Sequence, residues 1–201
     1  RLMRIYQATG LQTAIRKSGF LRLLPKSLRE LEPLTPTISP KFTQAHFKQL
    51  PNSHSTKYRV GLISGCIQDI AFSEINADTI YVLQKNECEV VLPQAQVCCG
   101  SLHGHNGEIE TAKELARKNI DAFNAETLDV IITNAGGCGS HLKQYDHLLS
   151  DDPNYAQRAK IWSSKVKDIH EFLVEIDFQP PKKNGGLQSV TYHASCHLSH
   201  G

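Results

Sequence analysis

Several things are scarce in this sequence, and each scarcity narrows the reading. No stretch approaches the ~18 consecutive apolar residues of a membrane span, and no charged start, apolar run and small-residue cleavage site follow one another at the N-terminus. A protein held in the cytoplasm is therefore the expectation. The single tryptophan, Trp162, has no aromatic companions spaced for base stacking, and the body carries no basic run, which argues against nucleic acid as a partner. There is no CxxC pair of the kind that builds closed zinc knuckles. There is also no GxGxxG and no P-loop lysine, so the glycines of Asn134-Ala135-Gly136-Gly137-Cys138-Gly139 do not fit the usual phosphate-cradling templates.

What is present suits one globular body with an added segment. The chain has 201 residues, 40% of them hydrophobic, which is enough to bury a full core. Net charge is only +2 but unevenly spread: residues 1–41 hold eight Lys/Arg against two Asp/Glu, and residues 42–201 hold fourteen against eighteen. A basic arm thus precedes a mildly acidic body. The one methionine is Met3 and the chain stops at Gly201 just after a Cys/His-rich turn begins, so the sequence reads as an internal piece of a longer protein.

Along residues 1–33 the apolar positions Leu2, Ile5, Tyr6, Leu11, Ala14, Ile15, Phe20, Leu21, Leu23 and Leu24 fall at helical spacing, broken by Gly10, Gly19 and Pro25. Two or three short helices with basic outer faces are expected. Such a face could touch anionic headgroups or an acidic partner, or could simply be a solvated connector. Residues 33–57, with Pro33, Pro36, Pro40 and Pro51, have linker composition.

From Tyr58 the pattern alternates. Short apolar runs at Arg59–Ser64, Glu89–Leu92, Asp129–Thr133 and Gln188–Tyr192 read as strands, and helical spacing fills residues 68–86, 107–125, the stretch through Leu142 and Leu148, and 155–176. Asp151-Asp152-Pro153 reads as a helix-start signal. The fold class that follows is α/β: a mostly parallel sheet with crossover helices, preceded by a short helical arm. The expected division is 1–57 connector and linker, 58–187 a first cysteine-rich unit, and 188–201 the start of a second.

Six cysteines could pair, but a chain with a full core does not need disulfides and no export signal takes it to an oxidising compartment. Metal or redox chemistry is the better expectation. Cys66, Cys98, Cys99, Cys138 and Cys196 each fall just beyond the carboxyl end of an expected strand, the edge where open α/β sheets place ligands. Adjacent Cys98-Cys99 cannot readily form a disulfide, whereas with Gly100 they suit two thiolates converging on one centre. Cys88 enters a strand at the opposite end and reads as a small buried hydrophobe. Thiolates separated by 31 and 38 residues describe a site assembled by a folded sheet, which favours an iron–sulfur cluster over a zinc ribbon.

The wording Ser64-Gly65-Cys66, Val97-Cys98-Cys99-Gly100-Ser101-Leu102-His103, Thr133-Asn134-Ala135-Gly136-Gly137-Cys138-Gly139 and Tyr192-His193-Ala194-Ser195-Cys196-His197-Leu198 resembles the cysteine-rich CCG family. That family includes the cysteine-rich component of heterodisulfide reductase and the iron–sulfur subunits of glycolate and lactate oxidation, and the glycolate oxidase iron–sulfur subunit is the nearest in wording. The resemblance implies a [4Fe–4S]-type cluster on Cys66, Cys98, Cys99 and Cys138, with Cys196 opening a second unit. It implies an electron-transfer role in a glycolate-oxidising enzyme, with substrate oxidation on flavin-containing partner subunits and electrons passed onward, for example to a membrane quinone at the inner face. A thiol-redox enzyme of the heterodisulfide reductase type and a structural zinc module are the other readings. His141 stands where the family's fuller form has its last cysteine, which leaves His141 and Cys196 as alternatives for completing the site. The ferredoxin motif CxxCxxCxxxCP is absent.

His103, His105, His193 and His197 flank the cysteine turns and could ligate, donate a hydrogen bond or move protons. His46, His54, His147 and His170 lie away from that edge and read as packing or surface residues.

Overall fold

The computed structural model describes residues 2–48 and 56–178, with the isolated positions 189, 191 and 193. Four short strands form one sheet: β1 (Tyr58–Leu62), β2 (Cys88–Val91), β3 (Val130–Thr133) and β4 (Val166–Asp168), in the order β2-β1-β3-β4 with every pairing parallel. Val60 sits opposite both Val90 and Val130, and Ile131 opposite Val166. Parallel neighbours require crossovers. These are supplied by α5 (Cys66–Ala71) and α6 (Ser73–Lys85), α7 (Ser101–His105) and α8 (Ile109–Phe123), and α9 (Gly136–Leu142), α10 (Tyr145–Leu148) and α11 (Ala156–Lys165). Helix α12 (Ile169–Glu175) follows β4.

Because strand side chains alternate, the sheet needs cover on both faces. Val60, Leu62, Val130 and Ile132 pack with Ile80 and Leu83 of α6 and Ile169 and Phe172 of α12. Ile131 packs on the other side with Ala116, Ile120 and Phe123 of α8 and Ala159 and Trp162 of α11. Each fully buried Ile or Leu contributes roughly 1.5–3 kcal/mol, so these two layers hold the sheet. Gly61 belongs to the second face. A Cβ there would meet Leu128 Cδ1 at 2.7 Å and Phe123 Cδ1 at 2.9 Å, so the bare backbone lets α8 approach β1.

The structure departs from the sequence reading at β4. Residues 155–176 read as continuous helix, but α11 ends at Lys165, whose ammonium donates to the carbonyls of Ala125 and Leu128, and Val166 and Asp168 turn inward against β3. A three-residue strand is too short to show its period. Asp168 also caps α12: its carboxylate accepts from the His170 N–H while the Glu171 carboxylate accepts from the Asp168 N–H, a reciprocal capping box. Asp168→Ala is expected to cost about 1 kcal/mol, read as a lowered denaturation midpoint; an unchanged midpoint would mean the cap is not formed in solution.

The other breaks are smaller. The helix expected over 68–86 is interrupted at Phe72, and the one through Leu142 and Leu148 is two short pieces. Asp152 accepts from the N–H groups of Asn154 and Tyr155 just ahead of α11, as the acidic start signal implied. Of the strand expected over 188–192 only Ser189 and Thr191 are described, in no regular structure, and Cys196 lies outside the described residues.

The arm is helical: α1 (Leu2–Ala8), α2 (Leu11–Ser18) and α3 (Lys26–Leu31), folded around Glu32, which accepts from Tyr6 and pairs with Arg16 at 3.0 Å. The linker is described over residues 33–48 and 56–57. It carries α4 (Thr43–Phe47) and is stitched to the body: the Ser39 N–H donates to the Ile70 carbonyl, the Thr43 N–H to Asp69, and Ser73 to the Lys41 carbonyl.

Candidate metal centre

All three turns that leave β1, β2 and β3 at their carboxyl ends carry cysteine: Cys66, Cys98 with Cys99, and Cys138. Each turn has a local cause. Gly65 holds φ +69°, a left-handed angle that side chains resist, and brings the chain into α5 with Cys66 as its first residue. Gly100 holds φ +86° and opens α7 directly after the two thiols. Cys138 sits in the first turn of α9, after Asn134-Ala135-Gly136-Gly137.

Side chains lace the three turns together. The Gln96 side chain accepts from the Ser64 N–H at 2.9 Å and donates to the carbonyls of Leu62 and Pro93, joining the β1 and β2 turns. The Ser101 hydroxyl donates to the Gly137 carbonyl at 3.2 Å, joining the β2 and β3 turns. Buried Asn76 donates to the Ser64 carbonyl and accepts from Asn134, so α6 holds the β1 and β3 turns from beneath. Gln96 and Asn76 were not marked by the sequence reading, and Ser64, Ser101 and Asn134 stood there only as neighbours of the cysteines. Buried amides of this kind stay only where their hydrogen bonds are met.

The four thiols lie in a row in which each shifts its neighbour's titration, Cys66 beside Cys98, Cys98 beside Cys99 and Cys99 beside Cys138. Burial pushes the Cys66 thiol up; for Cys98 the bond given to Cys99 does most, with burial second. Cys99 is pushed up to about 11, chiefly because its S–H is committed to Cys138. Cys138 moves the other way, because receiving that bond favours its thiolate. Cys88 lies apart, fully buried at the start of β2, and is pushed up to about 12 by burial and then by Asp129 and Glu87. It is an unreactive core residue.

His141 lies one helical turn beyond Cys138. Burial lowers its pKa, with His105 adding to the effect, which favours the neutral ring. Its Nε2 is buried without a hydrogen-bond partner and stands 3.5 Å from where a Gly100 Cβ would be. His103 instead turns outward to Glu108 at 2.7 Å. Among the described residues no group of three or more His, Cys, Asp or Glu is drawn up around a single ion. The donor set does fit a larger soft-metal group: four thiols on three glycine-bearing turns, with one buried imidazole nitrogen left over. Such a group would supply the positive charge that lets adjacent buried thiolates coexist. Cys196, the remaining expected ligand, falls outside the described residues.

Residues 60–143 match the family model of the cysteine-rich domain CCG, and residues 1–35 match that of the linker region of the glycolate oxidase iron–sulfur subunit. The protein named "Probable glycolate oxidase iron-sulfur subunit" of Bacillus subtilis is 48% identical over 199 residues, 98% of this chain and 45% of that protein. Lactate utilization protein A of Bacillus cytotoxicus is 32% identical over 142 residues, 70% of this chain and 58% of that protein. An iron–sulfur protein of Methanocaldococcus jannaschii is 36% identical over 152 residues, covering 74% of this chain and 27% of its own length. The chain thus spans about half the length of the first two relatives. No solved structure matches. The domain at residues 60–143 belongs to the cysteine-rich CCG family, and the chain is similar over nearly its whole length to a glycolate oxidase iron–sulfur subunit.

Proposed function

We propose that Cys66, Cys98, Cys99 and Cys138 hold an iron–sulfur cluster of the [4Fe–4S] type, and that the protein is the electron-transfer subunit of a glycolate-oxidising complex whose flavin-containing subunits oxidise the 2-hydroxy acid. Cys196 and His141 are the candidates for completing the ligand set. The observation that carries this reading is the gathering of four free thiols, on the turns that leave β1, β2 and β3, along one sheet edge. When bound, a cluster supplies one-electron acceptance at a potential set by its hydrogen bonds and burial. The protein's part is to fix the thiolates and limit water.

A role in conduction rather than substrate chemistry is supported by the cleft beside the Cys66 and Cys98 turns. It measures about 300 Å³ and is lined by Ser64, Gln96, Gln44, Gln94, Thr43 and Asp69 together with Leu92 and Pro93. Its one charged group is a carboxylate, which suits no anionic 2-hydroxy acid. The test is reduction of the visible absorbance by glycolate with and without the flavin-containing subunits. Bleaching only when they are present is expected; bleaching by glycolate alone would contradict the division of labour.

The arm carries a further part of the reading: it docks on an anionic surface, either an acidic face of a partner subunit or a lipid headgroup layer. Leu23 is 78% and Leu34 76% exposed, next to exposed Lys17, Arg22 and Arg29. Arg16 is excluded from any test because it holds Glu32 inside the arm. Lys17, Arg22 and Arg29 all changed to Glu should weaken co-sedimentation with partner subunits or anionic vesicles at low salt, where the Debye length exceeds ~8 Å. Equal association of parent and variant across the salt range would reduce the arm to a connector.

A further inference from the structure

The Cys98-Cys99-Gly100 turn is held from the core side by two residues that grip its backbone. Asn119 of α8 is fully buried; its side-chain oxygen accepts from the Val97 N–H at 2.9 Å and its amide donates to the Cys98 carbonyl at 3.1 Å. The same amide donates to the Tyr145 hydroxyl at 3.2 Å, and that hydroxyl donates to the Cys99 carbonyl at 2.7 Å. Tyr145 is itself fully buried, stacked on Trp162 with ring centroids 5.5 Å apart and set edge-on to His141 at 5.7 Å. Every polar atom of the pair is thus turned toward the turn or toward the other member.

Peptide planarity converts this grip into a direction. In a trans peptide the C=O and N–H point to opposite sides. The peptide whose carbonyl Tyr145 holds has as its N–H that of Gly100, which therefore points away from Tyr145, on the side where it favours the Cys98 thiolate. The next peptide behaves likewise: the Gly100 carbonyl accepts from the Gly104 N–H at 2.9 Å while the Ser101 N–H faces the other way, where it favours the Cys99 thiolate. Carbonyls, the wrong pole for a thiolate, are kept on the protein side.

We infer that Asn119 and Tyr145 are positioning residues for the metal centre: by holding the Cys98 and Cys99 carbonyls against the core they aim the Gly100 N–H at the Cys98 sulfur and raise the centre's reduction potential. The inference rests on the reading that these cysteines ligate a redox centre. Its physical basis is that an N–H aimed at a ligand sulfur stabilises the more negative, reduced state.

The test uses the full-length protein with its metal centre, following by redox titration the couple that disappears in Cys98→Ser. Tyr145→Phe removes one oxygen and keeps the ring that packs on Trp162. Iron and sulfide per chain should equal the parent's, while the potential shifts to lower values; Asn119→Ala should shift it in the same direction. Tyr155→Phe, which removes a surface hydroxyl bonded to Asp121, should leave it in place. Should neither Tyr145→Phe nor Asn119→Ala fold, 3-fluorotyrosine at position 145 keeps both ring and hydroxyl and, as a stronger donor, should raise the potential through the polarised peptide. Potentials equal to the parent's in Tyr145→Phe and Asn119→Ala, or in the fluorotyrosine protein, overturn the inference. A parent with neither iron nor sulfide overturns the function proposed above instead.

Discussion

Cys98→Ser and Cys99→Ser are each expected to lose most of the iron bound at this site and to stop electron transfer to an artificial acceptor, while Cys88→Ser changes neither. A serine hydroxyl is a hard, weakly acidic donor and replaces a soft thiolate poorly. The two adjacent positions should be about equally sensitive, because each is a link in the row that joins Cys66 to Cys138. Cys88 provides the internal control, since it is as cysteine-like in sequence but buried at the far end of its strand. Iron analysis of the three variants, purified without air, reads the result. Equal iron in all three would leave the row of thiols without a metal role.

Trp162→Ala is expected to cost about 3–5 kcal/mol of folding stability, a large part of the roughly 5–15 kcal/mol that holds a typical domain together. Trp162 is fully buried, stacked on Tyr145 and edge-on to Phe123 with ring centroids 5.4 Å apart. Its loss empties the space between α8, α10 and α11, where collapse is limited by the sheet. Since Tyr145 holds the Cys99 carbonyl, the same substitution should also loosen the cysteine turn, so metal loss on mild heating should precede that of the parent. Denaturant titration measures the stability. A cost below about 1 kcal/mol, the size of a tolerated isosteric swap, would contradict the packing described.

How much of this could be read in advance depended on the range of the cause. Strands β1, β2 and β3 were legible because a buried parallel strand writes itself as a short apolar run, and their cysteines were legible as residues following such runs. β4 was not, since three residues hold no period, although the Asp168 and Glu171 pair did carry a visible capping signal. The linker's contacts were not legible because its prolines and polar residues say nothing of partners, Asp69, Ile70 and Ser73, that lie elsewhere in the chain.

The support around the cysteines was hidden for the same reason. Val97 and Asn119 are 22 residues apart, and Cys99 and Tyr145 are 46, distances at which nothing local marks a hydrogen bond. One trace was there to find. Along α8 the buried stripe runs Ala112, Ala116, Asn119, Ile120, Phe123, and an amide within an apolar stripe must have partners in the core. His141 was legible only as a departure from a familiar wording. Its buried, unpartnered nitrogen beside Gly100 came from the structure.

The central claim is that the thiols of this sheet edge hold an iron–sulfur cluster, and metal analysis tests it most directly. Iron, acid-labile sulfide and zinc should be measured in one sample purified without air, alongside a sample in which Cys66, Cys98, Cys99 and Cys138 are all serine. Iron and sulfide in comparable amounts are expected in the parent, with visible absorbance that bleaches on reduction, and a loss of both in the fourfold variant. Zinc without sulfide in the parent, or iron and sulfide unchanged in the variant, would contradict the claim.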